Sequence, residues 1–192
     1  MRHLFLLAAL FCACISYAQI RVQERLPKSK TGFALTTAKT RAKIYYDVND
    51  ALVIKRSAEL FARDIQMVTG QKPELIQKRE RAKALVIVGT IEKNQWICEL
   101  AQKGKIDIRP LQGAWERYLI QTVDNPSPGV AKALVIAGSD RRGAAYGLFS
   151  ISEMMGVSPW YWWGDVPVKT HKALYVDAPP TYSKTPSVKY RG

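Results

Sequence analysis

From Ile54 the apolar positions Ala58, Phe61, Ile65 and Val68 recur every three to four residues up to Gly70. That period predicts an amphipathic helix with a glycine stop, and Asp47 or Asn49 is placed to cap its start. Elsewhere the apolar residues run together. Ala82-Lys-Ala-Leu-Val-Ile-Val-Gly-Thr90 and Ala131-Lys-Ala-Leu-Val-Ile-Ala-Gly-Ser139 agree at seven of nine positions. Each passes through a glycine and a hydroxyl residue into a helical stretch, near Lys93 to Lys103 and near Arg141 to Met155, which Gly104 and Gly156 end. Continuous apolar runs predict strands covered on both faces, as in parallel or mixed α/β sheets. Two copies are too few for a solenoid, so they read as two βα units of one sheet.

Shorter strands are predicted over Gly32 to Thr37, Ala42 to Tyr46, Pro73 to Ile76, Trp115 to Val123 and Ala173 to Val176. Lys78 to Lys83 reads as a charged turn and Asn125-Pro-Ser-Pro-Gly129 as the turn after its strand. Asp177 to Pro186 is rich in Pro, Ser and Thr and reads as a linker. Val188 to Gly192 then begins a further strand, which predicts that this is the amino-terminal part of something longer.

Composition changes the picture at the amino terminus. Arg2, the apolar stretch Leu4 to Ile15 and the small-any-small pattern Ser16-Tyr17-Ala18 predict a cleavable signal peptide over residues 1–18. The expected organisation is therefore a leader (1–18), an α/β domain (19–178), and a linker with the start of a next domain (179–192). No segment approaches the ~18 uninterrupted apolar residues of a membrane span. The residues before Cys12 and Cys14 are poor matches to a lipidation signal, and both cysteines leave with the leader. Cys98 then stands alone, so no intramolecular disulfide forms and roughly 170 residues must fold on a hydrophobic core. Export with one unpaired thiol predicts a periplasmic or extracellular location. Between Trp96, Ile97 and Leu100, Cys98 reads as a buried structural thiol.

The formal charge of +13, about +12 once Arg2 is removed, points to polyanions. Export argues against nucleic acid and leaves an acidic polysaccharide as the suitable partner. The alternative is a solvated basic surface balanced by an acidic partner domain.

Candidate chemistry lies in the last third. Gly138-Ser-Asp-Arg-Arg-Gly143 lacks the Lys-Ser/Thr of a phosphate loop and the spacing of a dinucleotide fingerprint. It reads as a helix amino terminus capped by Asp140 or Ser139. Arg141 and Arg142 could bind a carboxylate or tie the helix to neighbouring acids. In Trp160-Tyr161-Trp162-Trp163 an extended backbone would send Trp160 and Trp162 to one side and Tyr161 and Trp163 to the other. These rings serve either interdomain docking or stacking on sugars, with Asp165 close by in the chain. His171 is the sole histidine after the leader; no metal-ligand spacing, cofactor fingerprint or nucleophilic triad is found, and Glu153 with Asp165 is a carboxylate pair that nothing marks as catalytic.

Ala137-Gly-Ser-Asp-Arg-Arg-Gly143 with Tyr146-Gly147, then Gly156-Val-Ser-Pro-Trp-Tyr-Trp-Trp-Gly-Asp-Val-Pro167, then Ser187-Val-Lys-Tyr-Arg-Gly192, resembles the amino-terminal region of glycoside hydrolase family 115, the xylan α-1,2-glucuronidases. The likeness is strong from Lys132 onwards and one of general layout before it. It implies a mixed sheet flanked by helices, similar to the hexosaminidase-type accessory domain, ahead of a (β/α)8 barrel that holds the active site. It also implies an exported, inverting hydrolase that removes glucuronic acid or its 4-O-methyl ether from xylan, with an acid and a base both supplied by the barrel. Val188 to Gly192 would open that barrel, so no catalytic residue is carried onto this chain, which is expected to be inactive alone. Trp160, Tyr161, Trp162, Trp163, Asp165, Asp140, Arg141 and Arg142 are the positions offered as contacts with substrate or barrel. The alternative function is a stand-alone module that binds acidic polysaccharide without catalysis. A nucleic-acid or heparin-type binder rests on charge alone.

Overall fold

The computed structural model describes residues 19–188; the expected leader and all of the expected barrel strand but Val188 lie outside the described residues. Nine strands and three α-helices follow one another as β1 (Arg21–Gln23), β2 (Gly32–Thr36), β3 (Lys43–Tyr46), α1 (Leu52–Thr69), β4 (Leu75–Ile76), β5 (Ala82–Thr90), α2 (Gln95–Gln102), β6 (Tyr118–Ser127), β7 (Val130–Gly138), α3 (Arg141–Met154), β8 (Leu174–Asp177) and β9 (Thr181–Tyr182). Six strands form a mixed sheet in the order β4-β3-β5-β7-β6-β9, parallel from β4 to β7 and antiparallel at β6 and β9. The other three form a small antiparallel sheet, β1-β8-β2.

The two near-identical apolar runs are β5 and β7, paired side by side and in parallel from Ala82↔Val130 to Thr90↔Gly138. Their alternate residues feed two cores. Val86, Val88, Leu134 and Ile136 face one that includes Phe61 and Ile65 of α1, Leu148 and Ile151 of α3, and Phe33 and Val176 of the small sheet. Leu85, Ile87, Ala133 and Val135 face the other, with Trp96, Ile97 and Leu100 of α2. Burial on both sides is why neither run alternates with polar residues.

Helix α1 follows its predicted stripe, and Gly70 takes the left-handed conformation at φ 72° with its N–H on the Gln66 carbonyl. Its start departs from expectation. Ala51 is the cap residue and gives no side-chain bond, because the nearby carboxylates are used elsewhere. Asp47 accepts from the N–H groups of Asn49 and Gln95, and Asp50 from the N–H and hydroxyl of Thr90. These bonds join the β3–α1 loop to the β5–α2 loop. At α2, buried Asn94 supplies the cap, accepting from the N–H groups of Trp96 and Ile97 and donating to the Val88 carbonyl.

Two further segments differ from the sequence reading. Strand β6 starts at Tyr118 and continues through Pro126 to Ser127, where a bulge between Asp124 and Ser127 accommodates the proline, so the turn contracts to Pro128-Gly129. The presumed linker contains β9, which pairs Leu119↔Tyr182 and Ile120↔Thr181 and covers the outer edge of β6. The Tyr182 hydroxyl donates to the Asp107 carbonyl at 2.7 Å, fixing this segment against the sheet. Cys98 is half-buried, and its thiol lies 3.2 Å from the Ile91 carbonyl. Burial raises its pKa, which favours the protonated thiol.

Candidate functional site

Between α1 and α3 lies a groove of about 910 Å³, bordered also by residues 183–187 and by the loop after α3. Its apolar lining comes from Leu60 and Met67 of α1 and from Tyr146 and Phe149 of α3. Its polar lining includes Arg63, Asp64, Glu116, Ser150 and Glu153. Rings set among carboxylates and hydroxyls can offer stacking and hydrogen bonding to a sugar or to a polypeptide edge.

Asp64 sits on the buried face of α1 and accepts from the Ser152 hydroxyl of α3 at 2.7 Å. Burial raises its carboxyl pKa, an effect that this hydrogen bond and Arg63 oppose. The native state therefore binds this proton more tightly than the unfolded chain does. Any stability the group confers is complete below the unfolded value of about 3.9 and is lost as pH rises through the folded value. Asp64→Asn keeps an acceptor for Ser152 and removes the charge. We expect this variant to melt above the wild type at pH 7, with the gap closing towards pH 3; a lower melting temperature at pH 7 would contradict the assignment.

The aromatic run is not extended. Ser158 caps a 3-10 turn over Pro159–Trp162, accepting from the Trp160 N–H at 3.1 Å, and Pro159 occupies its first position. The coiled backbone replaces the expected two-sided display. Tyr161 lines the groove, whereas Trp160 and Trp163 stand out at 67% and 86% exposure. The Trp162 side chain lies outside what is described. Asp165 is exposed beyond the turn, with a left-handed backbone at φ 48°.

At the start of α3, Asp140 is the cap. One carboxylate oxygen accepts from the N–H groups of Arg142 and Gly143 at 2.9 and 2.8 Å, and the other from Glu116 at 2.8 Å. Ser139 accepts from the Arg117 N–H instead. Arg142 pairs at 3.0 Å with Glu116, whose side chain is fully buried, and this partner raises the guanidinium pKa. The helix terminus thus receives its negative charge from its own chain. Arg141 is exposed and makes no ion pair among the described residues. The structure therefore gathers Tyr161 and the Arg142–Glu116 pair near the groove, while Trp160, Trp163, Asp165 and Arg141 point to solvent.

Sequence reasoning missed Arg63, Asp64 and Phe149, and Tyr146 entered it only through the Tyr146-Gly147 likeness. Asp64, an acid inside the apolar stripe of α1, was the available signal. Among the described residues, no group of His, Cys, Asp and Glu side chains could hold a metal ion, and no helix is long and apolar enough to cross a membrane.

No protein-family model matches the sequence, and no curated protein matches it either. A solved structure does. It is a family GH115 4-O-methyl-α-glucuronidase with specificity for decorated arabinogalactans, with a TM-score of 0.64 and 29% identity over 82% of this chain. The fold is GH115-like. This GH115-like domain spans 19% of the length of that enzyme. A GH84 protein, CpGH84D, matches with a TM-score of 0.49 and 12% identity over 84% of this chain and 22% of its own. The GH20 β-N-acetylhexosaminidase of Streptomyces coelicolor A3(2) gives 0.43 and 13% over 88% and 25%. All three are glycoside hydrolases.

Proposed function

We propose that this chain is the amino-terminal accessory domain of an exported GH115 α-glucuronidase, which hydrolyses glucuronic acid or 4-O-methylglucuronic acid side chains from xylan. The observation that carries the reading is the 29% identity sustained over 82% of the chain against a 4-O-methyl-α-glucuronidase. Export is supported by the leader pattern of residues 1–18.

In this reading the chemistry belongs to a barrel beyond the described residues. An inverting pair there would protonate the leaving oxygen with one carboxyl group while the other activates water. The present domain would hold that barrel through Trp160, Trp163 and the groove-lining rings, since exposed aromatics suit an interface. Asp140 and Arg142 would act indirectly by fixing Glu116 at the groove.

The test is release of free uronic acid by the whole gene product from glucuronoxylan and from decorated arabinogalactan, followed by chromatography. Release from xylan by the whole product, with none from the 192-residue chain alone, is expected. Release from arabinogalactan only would overturn the xylan assignment, and release from neither would overturn the enzyme.

A further inference from the structure

At the end of the sheet opposite Asp140, the β6–β7 turn and the beginning of β5 wall a cleft of about 760 Å³. Four cationic side chains line it, Arg81, Lys83, Lys103 and Lys105, and no carboxylate does. The acids nearest in the chain are already engaged. Glu80 pairs with Lys43, Asp124 with Lys132 at 3.2 Å, and Glu99 with Arg79 through two bonds of 2.6 and 2.8 Å. Lys103 reaches Glu99 only at 3.9 Å, while the Arg81 and Lys83 side chains make no ion pair or hydrogen bond among the described residues. Arg81 and Lys83 therefore bring positive charge to the cleft that no carboxylate among the described residues pairs.

The walls are held in place. Arg81 lies against Gly129, where a Cβ would come within 2.8 Å of its Cγ. The Ala82 N–H donates to the Gly129 carbonyl at 3.0 Å. Lys105 donates to the Asp124 and Asn125 carbonyls, and Pro126 and Pro128 stiffen the turn between. A ligand would not have to order this backbone on binding. No aromatic ring lines the cleft, so recognition there is by charge and not by stacking.

We propose that this cleft is a binding site for the carboxylates of a uronic-acid-bearing polysaccharide, separate from the groove beside the aromatic turn. The identity of the polymer rests on the α-glucuronidase reading above. The unpaired Arg81 and Lys83 ask for an anion, and the side chains that such an enzyme removes carry one carboxylate each. The site would keep the domain on decorated stretches of polymer while hydrolysis proceeds elsewhere.

Native gel electrophoresis of the purified chain tests this in gels containing glucuronoxylan, the same xylan with its carboxyls reduced to alcohols, or double-stranded DNA. The cleft variant is Arg81→Ser/Lys83→Ser/Lys103→Ser. A control, Lys28→Ser/Lys39→Ser/Lys169→Ser, removes the same charge from other exposed positions. The wild type should be retarded by glucuronoxylan and not by the reduced polymer. The cleft variant should bind about tenfold more weakly, the control less than about twofold, and both should melt like the wild type. Equal losses in the two variants, or retardation that survives carboxyl reduction, would overturn the proposal. Stronger, cleft-dependent retardation by DNA would also overturn it. Uronic acid release by the whole gene product separates the two readings: release without cleft-dependent binding overturns this site alone, and binding without release overturns the enzyme.

Discussion

Gly143→Ala is expected to destabilise the domain by about 3 kcal/mol, towards the upper end of what overpacking costs. The obstacle is backbone. A Cβ at Gly143 would sit 2.2 Å from the Arg117 carbonyl oxygen and 3.0 Å from its carbon. That peptide cannot easily move, because the Arg117 carbonyl accepts from the Ser139 N–H at 2.8 Å and the Arg117 N–H donates to the Ser139 hydroxyl at 2.9 Å. Either β6 or α3 must shift. At Gly70, by contrast, a Cβ meets nothing within 4 Å, and alanine there costs only the left-handed backbone, about 1 kcal/mol. Urea unfolding of both variants gives the comparison. A Gly143→Ala loss no greater than that of Gly70→Ala would show that the β6–α3 approach is looser than described.

Asp140→Ala is expected to cost about 2–3 kcal/mol, more than an ordinary cap. Its carboxylate satisfies two N–H groups of the first turn of α3 and also the Glu116 N–H. Glu116 stands at φ 52°, a left-handed backbone that a non-glycine residue adopts only when its surroundings hold it. Losing Asp140 releases that residue, and with it the buried acceptor of Arg142. At roughly 2–4 °C per kcal/mol for a domain of this size, the melting temperature should fall by about 4–12 °C. Asp140→Asn, which retains one acceptor oxygen, should recover part of the loss. A fall of less than about 2 °C for the alanine variant would mean that the Glu116 turn stands without it.

Much of the scaffold was legible because burial dictates it. The runs that became β5 and β7, the stripe of α1 and the stop at Gly70 each carry a period or a length that few other structures satisfy. The cap of α3 was legible too, since Asp140 stands where the orphan N–H groups begin. What escaped depended on partners far along the chain. Nothing local to the two residues of β9 says that they will cover β6, because a strand so short has no period. Asp47 and Asn49 looked like caps for α1, but Ala51 holds that place and Asp47 instead accepts from Gln95, while Asp50 accepts from Thr90.

The aromatic run holds a different lesson. A hydroxyl residue followed by proline is a helix-start signal, so Ser158-Pro159 already favoured a turn over an extended display. The groove was the least legible feature. Its rings on α3 lie three residues apart, at Tyr146 and Phe149, on the outer face of a helix whose inner face is kept small by Gly143, Ala144 and Gly147. Arg142 and Glu116 lie 26 residues apart in sequence and meet only once β6 and α3 are packed.

In the reading proposed above, this GH115-like domain works in front of a glycosidase barrel. The most direct measurement is the genomic sequence read onwards in frame from the codon for Gly192. Several hundred further codons encoding alternating strands and helices are expected, with carboxylates at the carboxyl ends of the strands. A stop codon there, or a continuation without that pattern, would contradict that reading and leave a binding module as the better description.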